Sequence, residues 1–186
     1  RRRVLGAFAG LLVSAASPAA GLLIPTPPQS AGPFYPVEPP LDDDNDLTRV
    51  RGQDGIASGQ ITDLTGHIRD VNGRPVRDAR IEIWQCDVNG RYRHPRERGS
   101  AAQDTAFQGF GRTMTDPAGS YRFRTIKPVS YPGRTPHIHI AVFPAGAEPF
   151  VTQLYIKGES RNAGDFLFNR VPDGRRHLVV AEFIPV

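Results

Sequence analysis

Two histidines separated by one residue, His137 and His139, stand in the run PHIHIAVF. In an extended strand, residues i and i+2 share a face, about 6.6 Å apart at two rises of roughly 3.3 Å. Two imidazoles at that spacing can converge on one ion while Ile138, between them, faces the other side. An ordinary polar strand face has the same pattern, so the pair alone decides nothing. Its neighbours carry more. Tyr131 and Arg134 precede His137 in YPGRTPH, and Tyr92 and His94 lie in GRYRHP, just past an Asn89-Gly90 turn signal. Other chemistries find little footing. A single cysteine, Cys86, excludes a thiolate cage and an internal disulfide, and reads as a small buried hydrophobe. No serine sits in a G-x-S-x-G setting, and Gly109-x-Gly111 is too short to cradle phosphate. What remains is a mixed tyrosine and histidine set. A phenolate oxygen is a hard, anionic ligand that favours a hard Lewis acid such as ferric iron, and a bound metal lowers the phenol's pKa.

Short strands must position these residues. From about Gly59 the chain runs through HIRD, ARIEIWQCD, TMTD, SYRFRT, PHIHIAVF, FVTQLYIKG and HLVVAEFIPV, rich in β-branched and aromatic residues. Turn signals at Asn72-Gly73, Asn89-Gly90, Pro117-Ala118-Gly119 and Asp173-Gly174 separate several of them. The spacing predicts an all-β, two-sheet sandwich over residues 59–186 without long helices. Residues 20–58 are rich in proline and glycine and lack periodicity. They read as an extended arm that wraps the domain, with Phe34 and Tyr35 as apolar anchors. The run Asp42 to Asp46 fails as a calcium loop, because Leu47 and Gln53 stand where glycine and a bidentate glutamate are needed. A solvated acidic turn is expected there.

The chain has 186 residues, enough for one domain with a sizeable core. Its net charge of +4 comes largely from Arg1, Arg2 and Arg3; without them, 20 basic residues face 19 acidic ones. A near-neutral body gives no electrostatic footprint for nucleic acid. The three arginines, the apolar run that follows and the small residues Ser17-Pro18-Ala19 have the layout of an export signal over residues 1–19, twin-arginine in type. Ser14, Ser17 and Pro18 interrupt the apolar run and argue against a stable membrane span. A periplasmic or extracellular location is therefore expected, with a cytoplasmic one as the alternative.

The segments GHIRDVNGRPVRDARIEIWQCDVNGRYRHP, FQGFGRTMTDPAGSYRFRTIKPVSYPGRTPHIHI and VTQLYIKG resemble the intradiol ring-cleavage dioxygenases, nearest the protocatechuate 3,4-dioxygenase branch. The likeness covers about Gly32 to Val186. It implies a prealbumin-like β-sandwich and one non-haem Fe(III) per chain, without flavin or haem. It implies Tyr92 and His137 as equatorial ligands and Tyr131 and His139 as axial ones. Arg134 matches an arginine that faces the bound ring, and Gln153 a glutamine near the same site. The implied reaction joins a catechol substrate with O2 and yields a cis,cis-muconate; a homo-oligomer is left open. In that branch a bulky aromatic usually follows the axial tyrosine by two residues. Here Gly133 stands there, in a shorter loop, so a pocket wall must come from elsewhere. Two rival functions fit the strands alone: a non-catalytic binding module, and a metal hydrolase using His137, His139 and a carboxylate.

N-terminal sequencing of native material is expected to begin at Ala20. An intact Arg1 in a soluble cytoplasmic fraction would rule out the export reading.

Overall fold

A computed structural model of the chain describes residues 22–184, except 39 and 41. The expected export signal lies outside the described residues. Seven strands form two sheets: β1 (Ile61–His67), β2 (Arg80–Trp84), β3 (Phe110–Met114), β4 (Ser120–Ile126), β5 (His137–Phe143), β6 (Phe150–Ile156) and β7 (Val180–Ala181). β1 and β4 pair antiparallel as one sheet, and the other five run in the order β3-β2-β5-β6-β7. Three short 3₁₀ helices, Ser160–Gly164, Phe168–Arg170 and Asp173–Leu178, are the only helices among the described residues. None is long and apolar enough to cross a membrane.

Alternation along the strands explains the layering. Ile81 and Ile83 of β2 and Ile138, Ile140 and Val142 of β5 point to one side of the large sheet. There they meet Leu64 of β1 and Phe123 and Ile126 of β4 in one buried cluster. The opposite side of the large sheet is covered too. In β5 every residue from His137 to Val142 is buried, so the histidines sit on a second, enclosed face and not on a solvated one.

The cover comes from the segment before β1. Residues 22–58 contain neither helix nor extended strand among those described, yet they are docked. Leu47 is fully buried in the main cluster, and Leu47 N–H donates to Arg124 O at 2.7 Å. This needs a glycine opposite: a Cβ on Gly111 would stand 2.5 Å from both Asp44 O and Leu47 Cδ1. The expected solvated turn therefore holds for Asp44 and Asn45 alone. Asp43 pairs with Arg112 at 2.8 Å, and Asp46 accepts from Thr48 Oγ1 at 2.5 Å. The C-terminal run expected as a strand is one only at β7. Pro172 and Asp173-Gly174 start a 3₁₀ turn instead, with Arg175 N–H donating to Pro172 O at 2.7 Å.

Phe123 joins the two sheets and is fully buried. Phe123→Ala is expected to cost about 3–5 kcal/mol, read as a lowered denaturant midpoint at unchanged m-value. A loss below 1 kcal/mol would show that the two sheets do not share a tightly packed interior.

Candidate metal centre

The register of the large sheet sets the first layer of the site. Trp84 pairs with Phe110 on one side and with His139 on the other, and His139 pairs with Gln153. These four side chains share one face. One step along, His137 pairs with Tyr155. Trp84 stacks on the His139 ring, 4.8 Å between centroids and 6° between planes. This fixes the imidazole plane in the way a rigid aromatic neighbour can.

Two loops bring the tyrosines. Asp87 organises the first: its Oδ1 accepts from Asn89 N–H and Arg91 N–H, both at 2.9 Å, and turns the chain so that Tyr92 points inward. The second is the turn Tyr131-Pro132-Gly133-Arg134. Proline and a glycine at φ 81° stand at its centre, and Arg134 N–H donates to Tyr131 O at 2.9 Å. That turn folds the Arg134 guanidinium back onto its own tyrosine, placing Nη1 3.4 Å from Tyr131 Oη.

All four ligand-type residues meet. The rings of His137 and His139 are 4.8 Å apart, those of Tyr131 and His137 5.5 Å, and those of Tyr92 and Tyr131 5.4 Å. His137 Nδ1–H donates to Thr135 O at 2.7 Å, which leaves the lone pair on Nε2. That Nε2 lies 3.2 Å from His139 Nε2. Tyr92 Oη and His139 Nδ1 are buried without any partner. They are two of eight such side-chain atoms among the described residues, and both belong to this cluster.

Electrostatics completes the picture. Burial, then the neighbouring Tyr131, pushes the Tyr92 phenol well above its ordinary pKa. Burial also raises Tyr131, though Arg134 works against it. Burial, then the Arg134 charge, lowers His137 to about 4; burial, then His137, holds His139 well below the ordinary value. The imidazoles are therefore neutral and able to ligate, whereas the phenols stay protonated until a strong positive charge compensates their anions. Two neutral imidazoles and two phenols fit a hard, highly charged cation. The hydrogen bond from His137 to a backbone carbonyl is the support that a ligating histidine uses.

Around this cluster runs a hydrogen-bonded shell. Arg134 Nε donates to Asp165 Oδ2 at 2.8 Å, and its Nη2 donates to Gln153 Oε1 at 2.5 Å. Tyr155 Oη also donates to Gln153 Oε1, at 3.2 Å, and receives a bond from Gln29 Nε2 at 3.0 Å. Gln153 Nε2 in turn donates to Ser30 O at 3.0 Å. The sequence reading placed Arg134 and Gln153 near the centre, and both are there. It missed Asp165, Trp84, Tyr155 and Gln29. Phe34 is more than an anchor: it stacks on Tyr92 at 4.5 Å. Tyr35 donates to Glu82 Oε2 at 2.7 Å and sets its edge on Trp84 at 4.9 Å. Gly32 lies against the edge of His139, where a Cβ would stand 3.4 Å from Cε1.

A family model described as dioxygenase matches residues 31–182. The chain is 37% identical over 159 residues to the protocatechuate 3,4-dioxygenase beta chain of Burkholderia cepacia, covering 81% of this chain and 68% of that one. It is 34% identical to the alpha chain of the Pseudomonas putida enzyme, covering 87% of this chain and 85% of that one. The chain belongs to the intradiol dioxygenase family. The hydroxyquinol 1,2-dioxygenase of Corynebacterium glutamicum is 31% identical, and the match spans 48% of its length. Among solved structures, the dioxygenase domain of a carbohydrate-binding fusion from Streptomyces sp. SirexAA-E superposes with a TM-score of 0.60 at 32% identity. That match covers 77% of this chain and 82% of the other.

Asp165 is the buried anchor of the shell around this cluster. Its carboxylate is fully enclosed, and besides Arg134 it accepts from the N–H groups of Thr135, Leu167 and Phe168. Burial pushes its pKa up, but the bonds from Arg134, Phe168 and Thr135 outweigh that and hold it below the ordinary carboxylate value. A depressed carboxylate contributes stability that is present above its unfolded pKa, about 3.9, and is lost as pH falls through the folded value. Asp165→Asn is expected to cost about 3–5 kcal/mol by stranding a buried guanidinium. In metal-free protein, the gap between parent and variant should hold steady above about pH 5 and shrink on acidification. Equal stability at neutral pH would remove Asp165 from this role.

Proposed function

We propose that this protein is a non-haem Fe(III)-dependent dioxygenase. It would cleave a catechol-type ring between its two hydroxylated carbons, on a prealbumin-like β-sandwich with an extended N-terminal arm. Both atoms of O2 enter the two carboxyl groups formed, giving a cis,cis-muconate derivative. One observation carries this reading: two phenols and two imidazoles converge in a buried site, with the histidine Nε2 atoms 3.2 Å apart and Tyr92 Oη unpartnered. Tyr92, Tyr131, His137 and His139 would hold the iron. Bound there, a ferric ion supplies a Lewis acid and a template that makes the catechol reactive toward O2.

The rest is the work of the chain's own residues. A catechol must shed two protons to bind through both oxygens. Tyr131 is the residue placed to take one. It is half-buried at the open side of the site, with Arg134 Nη1 beside its oxygen to balance negative charge there. Tyr92 is built to stay: it is 2% exposed and stacked beneath Phe34. Gln153 and Asp165 hold Arg134 in line, and Trp84 and Gly32 keep His139 dry and oriented. A metal hydrolase lacks its third ligand: among the described residues no three His, Cys, Asp or Glu side chains cluster, and Asp165 is committed to Arg134. A pure binding module gives no reason for four metal-ligand side chains to meet in one buried site. Because the chain resembles both an alpha and a beta chain and carries all four ligand-type residues itself, a homo-oligomer suffices for a complete site.

Purified protein is expected to hold one ferric ion per chain, to be red-brown, and to consume O2 with catechols. His137→Ala should lose the metal and stay folded, since Ile138 and Ile140 carry the core side of β5. Tyr131→Phe should keep iron and slow anaerobic catechol binding roughly 10²–10⁴-fold, the range of a positioned base. Tyr92→Phe should instead impair metal retention. Zinc as the native metal, or a Tyr131→Phe variant that binds catechol at the parent rate in stopped flow, would refute the assignment.

A further inference from the structure

The turn that joins Tyr131 to Arg134 leaves space on the open side of the site. A Cβ at Gly133 would have nothing within 4 Å. The cleft there has a volume of about 520 Å³, and Ser130, Tyr131, Arg134, Arg161 and Asp165 are among its lining residues. That lies within the ~300–1,000 Å³ of small-molecule sites. It is wider than the ring and two oxygens of a bare catechol require.

Charge in the cleft is unbalanced. Its one carboxylate, Asp165, is committed to Arg134 and three backbone N–H groups. Arg161 comes from the 3₁₀ helix Ser160–Gly164, and its Nη1 donates to Ser130 Oγ at 3.0 Å. That bond holds the guanidinium next to the residue preceding Tyr131. No carboxylate among the described residues forms an ion pair with Arg161. Glu159 beside it instead caps the helix, accepting from Arg161 N–H at 3.1 Å. The lining thus sets Arg134 and Arg161 against Asp165, one positive charge in excess, and the uncompensated one is at the rim.

We propose that Arg161 is a specificity-determining residue that receives a carboxylate carried on a short ring substituent of the catechol. This deepens the function proposed above and rests on it. With the ring at Tyr131, the substituent runs past Gly133, where the missing side chain leaves room, to the guanidinium. Ser130 occupies Nη1 and leaves Nε and Nη2, the paired edge that matches the two oxygens of a carboxylate. Arg161 is exposed, so solvent screens the pair and the effect is modest.

The test is anaerobic calorimetry with two probes of similar shape, 3-(3,4-dihydroxyphenyl)propanoate and 4-propylcatechol. Arg161→Ala should weaken binding of the acid roughly ten-fold and leave 4-propylcatechol within about two-fold. Arg161→Lys should recover part of the loss, and Arg161→Glu should favour the neutral probe. Equal shifts for both probes, no shift for either, or a parent protein that binds the two alike or binds neither would overturn the proposal. Failure of the dioxygenase reading itself looks different: the parent would consume no O2 with either probe while the contrast in binding persisted.

Discussion

Strand β5 meets two demands on alternate residues. Ile138, Ile140 and Val142 tie the large sheet to β1 and β4, and His137 and His139 stand on the other side as the floor of the site. Because the side-chain period is two, a slip of one residue would put the imidazoles into the hydrocarbon core and the isoleucines into the polar centre. The register is therefore held from both sides at once. β2 pairs with β5 along its whole length, which sets Trp84 against His139, and β6 sets Gln153 and Tyr155 against the two histidines. The two histidines cannot be moved without moving the core.

Enclosing that second face creates an electrostatic problem, which the chain answers by keeping its groups neutral or paired. Burial suppresses the charged forms of both tyrosines and both histidines. The charged groups allowed near the centre are Arg134 and Asp165, bonded to each other, with the carboxylate further enclosed by three backbone N–H groups. An ion pair of this kind adds little net stability against apolar residues of the same size, but breaking it is costly. Its return is positional: it aims a guanidinium at Tyr131 Oη and at Gln153. Nothing comparable faces Tyr92, which lies in an apolar setting of Phe34, Cys86 and Phe110. The two tyrosines thus differ in surroundings before any ligand arrives.

What could be read from sequence was what local spacing encodes. H-x-H in a strand places two imidazoles on one face; the Asn89-Gly90 turn sets Tyr92; the alternating runs give two sheets. Arg134 came from the family resemblance; the structure supplies the local reason, since the Tyr131-Pro132-Gly133-Arg134 turn brings its first and last residues together. Asp165 was not legible. It lies 31 residues beyond Arg134 in a 3₁₀-rich segment with no periodicity, and only the packed fold makes it a partner. In the arm, the anchors Phe34 and Tyr35 were expected and the docking of Leu47 was not. The arm's prolines and glycines signal irregular backbone, and irregular backbone is easily taken for solvated backbone. Yet Leu47 is fully buried in the core, and the run of acidic residues before it conceals that place.

The cover and the opening of the site are consequently two different surfaces with different chemistry. Phe34 and Gly32 pack over Tyr92 and His139 on one side, with Trp84 stacked on the imidazole, and the lining there is mostly aromatic. The other side opens at Tyr131 and Gly133, lined by two guanidiniums and one committed carboxylate. A molecule that brings negative charge would be favoured through that opening and, on the function proposed above, would meet first the tyrosine assigned to take its proton. Access, positive charge and a phenol coincide on one side because a single four-residue turn supplies the gap, the arginine and the tyrosine together.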